Sequence, residues 1–247
     1  MSLSSIVRRG LATLAIAVLL APTTSVAYAH GAFGSAETSA STHSLELTED
    51  ERASLISEFA SYGVNEEVAA GLLDKFQQGY LLDSMKPDAV PISSVKSVHG
   101  TEIEIVETYE DGSIVVSTVP NLDGIKNAAT DNAIQLRSVS GCTFSSGGAY
   151  GGYWKNCVAS ENLIVVRMGF TFDYESIRDR GSRITGYRSY FHHIIGGSLS
   201  NFRFDRMSPT QVRLSADTSI EFKGIPAGWT AWMQVNVSGS KAWTTHN

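Results

Sequence analysis

Hydrophobic and polar residues alternate along much of the second half of the chain. Between residues 164 and 174 every second residue is apolar, and Arg167, Thr171 and Asp173 stand between them. Because successive side chains of a strand point to opposite faces, this pattern predicts a strand with one buried face. Similar runs, separated by Gly, Pro or Asp-containing turns, predict further strands over 183–195, 199–206, 212–222, 229–237 and 241–245.

A helical period replaces this alternation nearer the N-terminus. Thr48 and Glu51 fit a capping box, in which each side chain accepts from the other residue's backbone amide. Asn65 is a second N-cap residue, and Gly63 and Gly79 stand where the two helices would end. These signals predict an α-helical hairpin.

A β-hairpin is predicted after the helices. The pair Asp111-Gly112 is a strong turn signal between two β-rich runs, 101–109 and 113–119, and residues 92–98 are a candidate third strand. The predicted class is therefore α+β, with a helical hairpin and a β-hairpin followed by an antiparallel β-sandwich-like domain. The predicted divisions are a signal peptide at 1–29, a disordered tether at 30–46, the helical and β hairpins at 47–120, a polar linker at 121–139, and the β domain at 140–247.

The N-terminus carries the features of a secretory signal peptide. Arg8 and Arg9 are the positive region, residues 11–21 are an apolar run too short to span a bilayer, and Ala27-Tyr28-Ala29 fits a cleavage site. Cleavage near Ala29 predicts a secreted protein, extracellular or associated with the cell wall. An uncleaved membrane anchor is the alternative interpretation. The mature chain is expected to have no transmembrane segment.

The chain contains two cysteines, Cys142 and Cys157. In an exported protein they have no other partner, so they are predicted to form a disulfide. The prediction leaves no free thiol for nucleophilic catalysis.

Charge is distributed unevenly along the chain. From Gly141 onward the chain has eleven basic and seven acidic residues, whereas the preceding part has eight basic and eighteen acidic residues. The predicted helical hairpin has eight acidic residues between Glu49 and Asp83, with Arg52 and Lys75 as its basic ones. Such a surface would repel a phosphate backbone, so nucleic acid is not an expected partner.

Aromatic and arginine side chains are the candidate ligand contacts. The glycine-rich stretch between the cysteines carries Tyr150, Tyr153 and Trp154, which either form a carbohydrate-facing platform or pack in the core, and core packing is the more common fate of large aromatics. Arginines recur on the predicted strands and would form a cationic strip if they shared one sheet face, suited to an anionic polymer or to the acidic helices. The candidate residues are Tyr150, Tyr153, Trp154, Arg167, Arg188, Arg203 and Arg213.

No catalytic residue, metal site or cofactor is predicted. His192 and His193 are adjacent on a predicted strand and must point to opposite faces, so they cannot both ligate one metal from a regular strand. Asp173 and Glu175 share a strand face, but nearby arginines make an ion-paired edge the simpler interpretation. A mature start at His30 resembles that of copper-dependent polysaccharide monooxygenases, but the expected N-terminal strand and nearby second histidine do not follow.

The order of motifs resembles uncharacterised secreted bacterial proteins. The motifs are Leu82-Asp83-Ser84-Met85 after the acidic helices, Tyr109 to Ser113 in the hairpin, and Ser140-Gly141-Cys142 opening the β domain. The resemblance implies secretion and a two-part architecture, and it implies no activity.

The expected function is that of a non-enzymatic binding or interaction protein at the cell envelope or outside the cell. The expected partner is a cell-wall polysaccharide or an anionic envelope polymer. Two alternatives stay open: a bacteriocin-like toxin or effector whose acidic N-terminal region masks the β domain, and a secreted hydrolase. Oligomeric state is not predicted.

Overall fold

The computed structural model describes residues 45–130, 142–224 and 228–247. All of them belong to one compact unit, residues 42–247. The predicted signal peptide, residues 30–44 of the predicted tether, and residues 131–141 lie outside the described residues. No helix within the described ranges is long and apolar enough to cross a membrane.

Three α-helices occur in the described part of the chain: α1 (Glu49–Ser61), α2 (Glu66–Gln77) and α3 (Leu122–Thr130). The capping box at the start of α1 is confirmed, since the Glu51 amide donates to Thr48 Oγ1 and the Thr48 amide donates to Glu51 Oε2. Asn65 caps α2 by accepting from the Glu67 amide. Local sequence therefore determines where α1 and α2 begin.

The larger of two antiparallel sheets, here the large sheet, has the order β1-β2-β3-β5-β6-β7, with β4 paired to β5. The other, the small sheet, has the order β11-β10-β9-β8. With the helices, these sheets confirm the α+β class. The strands are β1 (Ser93–His99), β2 (Glu102–Thr108), β3 (Ile114–Pro120), β4 (Thr143–Ser146), β5 (Gly151–Asn162), β6 (Val166–Ile177), β7 (Gly181–Ile194), β8 (Leu199–Ser208), β9 (Gln211–Thr218), β10 (Thr230–Ser238) and β11 (Lys241–His246).

The core lies between the two sheets. From the large sheet, β6 directs Phe170 and Phe172 inward, and from the small sheet β9 and β10 contribute Leu214, Met233 and Val235; all five are fully buried. Strand β10 packs against β6, and β11 lies against β3 and β5. The alternation over residues 164–174 thus predicted the buried face of β6 correctly.

The structure differs from the predicted linker at 121–139. Residues 122–130 form α3, which Leu122 and Ile125 anchor in the core. Strand β3 before it pairs with β5 after it, with Val116 opposite Asn162. The stretch is polar because a nine-residue helix needs few buried positions, so its composition resembled that of a linker. Residues before and after α3 therefore share one sheet.

The helical hairpin packs against one end of the sandwich. The Phe76 ring lies 5.8 Å from that of Phe222, and the Trp229 indole N–H donates to the carbonyl of Met85. Lys75 forms an ion pair with Asp111 at 2.6 Å in the β2–β3 turn. The helices and the sandwich consequently share one hydrophobic core.

Substituting the glycine of the predicted Asp111-Gly112 turn tests how closely α2 packs against this turn. Gly112 has φ of +85°, and a Cβ there would lie 2.6 Å from Val68 Cγ1 on α2. Gly112→Ala is expected to lower the free energy of unfolding by more than about 1 kcal/mol, because both strain and a steric clash oppose it. Urea denaturation measures the change.

Gly100 provides the matched control for this prediction. It has φ of +62° with nothing within 4 Å of a Cβ, so Gly100→Ala carries the strain without the clash. Equal destabilisation by the two substitutions would show that α2 is not held against this turn.

Candidate functional site

The glycine-rich stretch between the cysteines belongs to a hairpin of β4 and β5, and the predicted disulfide between Cys142 and Cys157 is present. Trp154 is buried, with its indole N–H donating to the Leu122 carbonyl and its ring stacked 5.1 Å from that of Tyr174. Trp154 is therefore a core residue that does not face solvent.

The two tyrosines of this hairpin have a different environment from Trp154. Tyr150 is 66% exposed and Tyr153 is 39% exposed. Their rings face solvent, and no ring contact within the described residues brings them together into a platform.

The four candidate arginines are divided between the two sheets. Arg167 on β6 and Arg188 on β7 belong to the large sheet, whereas Arg203 on β8 and Arg213 on β9 belong to the small sheet. Arg188 forms a bidentate pair with Asp173, at 2.8 and 3.1 Å. The four side chains therefore do not form one cationic strip.

Arg203 and Arg213 lie on the outer surface of the small sheet, here called the polar face. Its residues alternate along the strands with the apolar residues that enter the core, so they point away from the large sheet. The members are Arg203 and Asp205 on β8, Gln211, Arg213, Ser215 and Asp217 on β9, Trp232, Gln234, Asn236 and Ser238 on β10, and Lys241, Trp243 and Thr245 on β11.

Hydrogen bonds connect the central polar side chains of this face across three strands. Gln234 Oε1 accepts from Arg213 Nε at 3.2 Å and Nη2 at 3.0 Å. Asn236 Oδ1 accepts from Gln211 Nε2 at 3.0 Å and from Gln234 Nε2 at 2.8 Å, while Asn236 Nδ2 donates to Thr245 Oγ1 at 3.3 Å. Gln234 and Asn236 are only 7% and 4% exposed, so the network is largely covered, and it orders the more accessible side chains bonded to it, Arg213 and Thr245.

Two tryptophans stand at opposite ends of this network. The Arg213 guanidinium lies 4.1 Å above the Trp232 ring, a cation–π contact. Trp243 lies opposite Asn236 in the β10–β11 pairing and is 41% exposed. Because Asn236 is four residues from Trp232, the two rings are roughly 14 Å apart along the strands. A ligand contacting both must extend over this distance.

Acidic residues offset the positive charge of the polar face. Arg203 pairs with Asp217 at 2.9 Å, and this hydrogen bond, with those from Thr230 and Asn201, lowers the pKa of Asp217. Asp205 lies opposite Arg213 in the β8–β9 pairing. The charges of the two arginines and two aspartates cancel, and Lys241 at the start of β11 leaves the face with a formal charge of +1.

A second group of polar residues, here the interlayer cluster, lies between the sheets beneath β11. Glu161 on β5 is 1% exposed, and its Oε2 accepts from Ser117 Oγ at 2.8 Å. Burial raises the pKa of Glu161, against the opposing influence of His246 and hydrogen bonds. The members of the cluster are Glu107, Tyr109, Ser117, Glu161, Thr244 and His246.

His246 occupies the centre of the cluster. Its Nε2 lies 3.5 Å from Glu107 Oε2 and 3.5 Å from the Tyr109 hydroxyl, and its Nδ1 lies 2.8 Å from the Asn247 carbonyl. Burial alone would lower the pKa of His246, but the Glu107 hydrogen bond and the negative charge of Glu161 raise it above the usual range. Burial also raises the pKa of Tyr109.

The carboxylates and histidines considered for hydrolysis are engaged separately. Asp173 pairs with Arg188, and Glu175 pairs with Arg183 at 2.5 Å. The His192 ring packs 4.5 Å from that of Phe202. Within the described ranges, no group of three or more His, Cys, Asp or Glu side chains is arranged to hold a metal ion.

Comparisons with protein-family models, with curated proteins and with solved structures found no match for this chain. The fold and the site define a β-sandwich with a helical cap and an ordered polar and aromatic sheet face. Function is therefore inferred from the side chains of that face.

The sequence prediction missed the tryptophans and amides of the polar face. A signal for them exists: Trp232, Gln234 and Asn236 occupy alternate positions of one predicted strand, and Trp243 and Thr245 alternate in the next. Nearly buried amides on the outward side of a strand, with tryptophans beside them, are unusual for a merely solvated surface, where exposed charged residues prevail.

Proposed function

We propose that this protein binds a neutral, linear polysaccharide on the polar face of its small sheet. The observation that supports this most directly is the pair of indoles, partly exposed Trp232 and exposed Trp243, at either end of a buried amide network that orders the partly exposed Arg213 guanidinium. The apolar face of a sugar ring can stack on an indole, and its hydroxyls can accept from the Arg213 guanidinium and bond to the exposed Thr245 hydroxyl. The separation of the indoles favours an oligomer over a single sugar.

Charge favours a neutral polymer over an anionic one. Both a cell-wall polysaccharide and an anionic envelope polymer are partners that the sequence suggests. An anionic polymer would need several unpaired positive charges, but Arg203 is neutralised by Asp217 and Arg213 is engaged by Gln234 and Trp232, which leaves Lys241 at one end of β11. Binding is therefore expected to depend little on ionic strength.

The proposed location agrees with this function. A signal peptide cleaved near Ala29 would deliver the chain outside the cell, where polysaccharides occur and disulfides persist. The Cys142–Cys157 disulfide is compatible with that compartment.

Trp243→Ala is expected to weaken binding to insoluble cellulose or chitin by about tenfold or more, because truncating a central aromatic contact can cost 2 kcal/mol or more. Pull-down isotherms at low and high salt measure the affinity. Tyr150→Ala is the matched control, since it removes an exposed aromatic ring between β4 and β5 of the large sheet and should leave the affinity unchanged.

Two results would contradict the proposal. One is binding to polygalacturonate, an anionic polymer, that disappears at high salt. The other is equal loss of affinity in the Trp243→Ala and Tyr150→Ala variants.

The toxin and hydrolase alternatives gain no support from the described residues. The acidic helices share the core of the sandwich, through Phe59, Leu73 and Phe76, so they do not form a separate mask. The candidate catalytic carboxylates Asp173 and Glu175 are each engaged by an arginine.

A further inference from the structure

Strand β8 is an edge of the small sheet, and its free side has no strand beside it in the described part of the chain. It pairs with β9 on its other side, and within the described ranges its backbone groups bond to no further segment. A free edge exposes N–H and C=O groups that can pair with another strand. Bulges interrupt the pairing with β9 on both sides of residues 203–206, which are therefore the regular part of this edge.

Charges of both signs lie on the outward side of this regular stretch. Arg203 and Asp205 alternate along β8, and both are exposed. Arg203 donates through Nε to Ser215 Oγ and through Nη2 to Asp217 Oδ1, and no described residue accepts from its Nη1. Asp205 accepts no hydrogen bond and forms no ion pair within the described ranges. Each of the two side chains can therefore bind a further partner of opposite charge.

The order of these charges makes β8 complementary to an antiparallel copy of itself. When two β8 strands pair with Phe204 opposite Phe204 of the second copy, Arg203 of each copy lies opposite Asp205 of the other. Asp205 then lies between Arg213 on its own β9 and Arg203 of the second copy. Opposite charges placed across antiparallel strands stabilise the pairing, and like charges destabilise it. A slip of two residues would place either Arg203 or Asp205 opposite its own copy, so charge selects one register.

The edge strands at the other ends of the two sheets do not have this pattern. The Lys, Arg, Asp and Glu residues that they contain are all basic: Lys96 on β1, Arg183 and Arg188 on β7, and Lys241 on β11. An antiparallel copy of any of these strands would bring basic residues to the junction without acidic partners. Self-complementary charge is thus specific to β8 among these edges.

Aromatic side chains lie on the inward side of the same stretch. Tyr190 on β7 is 43% exposed, and its ring lies 5.0 Å from that of Phe202 and 5.8 Å from that of Phe204. Pairing at this edge would remove apolar surface of these rings from water, which is favourable. Arg206 does not obstruct the junction, since its guanidinium donates to the Ile184 carbonyl at 2.6 Å.

We infer that two copies of this protein associate through antiparallel pairing of their β8 strands in this register. The two four-stranded small sheets then join into one continuous sheet, and the two polar faces lie side by side on its surface. The association does not depend on the proposed function. For a polymer bound by the polar face, two linked faces would raise the overall affinity through multivalency.

Sedimentation velocity of the oxidised protein, with no polymer present, measures the association. The wild type is expected to form a concentration-dependent dimer in the micromolar range, since short interfaces bind weakly. Asp205→Arg places an arginine opposite each Arg203 and should raise the dissociation constant of the dimer by about tenfold or more. Asp179→Arg is the matched control: it reverses the charge of an exposed aspartate in the β6–β7 turn and should leave the dissociation constant unchanged.

A mixture of two charge-reversed variants tests the register itself. Asp205→Arg has only basic residues at positions 203 and 205, and Arg203→Asp has only acidic ones, so each variant alone should be monomeric where the wild type is dimeric. Mixed together, they should form a heterodimer as tightly as the wild type, within about threefold.

A wild type that stays monomeric, or a mixture that associates no better than the separate variants, would overturn the inference. Asp205 has no partner in the described fold, so Asp205→Arg leaves the fold intact. Its comparison with Asp179→Arg decides the outcome if Arg203→Asp proves unstable. A dimer that binds neither cellulose nor chitin would refute the proposed function alone, and a monomer that binds either polymer would refute the association alone.

Discussion

Replacing Phe76 with alanine is expected to lower the free energy of unfolding of the entire described unit by about 3–5 kcal/mol, the usual cost of removing a buried aromatic ring. Phe76 on α2 is fully buried, and its ring contacts Phe222, which in turn packs on Trp229. Removing the Phe76 ring would therefore leave a cavity between the helices and the sandwich. Because both sides share one core, helices and strands should unfold together.

Urea denaturation followed by two probes measures this effect. Far-ultraviolet circular dichroism reports the helices, tryptophan fluorescence reports the sandwich, and the two curves should shift together. Val68→Ala on the same helix is the control, since Val68 is 41% exposed and its truncation should cost less than about 1 kcal/mol. A separate, earlier helical transition in Phe76→Ala would show that the helical hairpin is an independent domain.

Replacing both Cys142 and Cys157 with alanine is expected to lower the free energy of unfolding by about 3 kcal/mol. The disulfide closes a loop with a sequence separation of 15, and a loop of this size removes a corresponding amount of entropy from the unfolded chain. Thermal or urea denaturation, with and without a reducing agent, measures the difference.

Reduction of the wild-type protein gives the matching comparison. It should shift the transition to that of the double-alanine variant, while the reducing agent should have no effect on the variant itself. A variant as stable as the oxidised wild type would show that β4 and β5 are held by their backbone pairing alone.

The parts of the fold that the sequence predicted are those with local signals. The capping box of Thr48 and Glu51 and the Asp111-Gly112 turn are specified by neighbouring residues, and both occur in the structure. The strand at residues 164–174 was predictable because one of its faces is buried and the other is not. In each case, the residues that determine the local structure lie within one short stretch of the chain.

Strand β5 was missed because its beginning resembles a loop. Gly151 and Gly152 suggest flexibility, yet Gly152 leaves space that the Phe144 ring of the neighbouring strand occupies. The absence of a side chain thus serves close packing at this position. Glycine is needed at position 152 because of a residue on the neighbouring strand β4, so the composition of the β5 segment alone does not reveal it.

The sites were less predictable than the fold, since their residues come together from distant positions. Arg213 and Gln234 are joined by a hydrogen bond across a strand pair, and Glu161 meets His246 from the other sheet. Alternation indicates which residues face outward but does not specify which strands are neighbours. Pairing of the strands therefore had to be known before either the polar face or the interlayer cluster could be recognised.

The position of β11 against β3 and β5 has a consequence for how the chain folds. The last strand completes a layer over strands made much earlier, so many native contacts join residues far apart in sequence. Such topologies fold slowly, because long segments must be ordered before their contacts form. Until residues 241–246 have emerged, Glu161 and the neighbouring strands lack their cover, so this layer of the sandwich closes late.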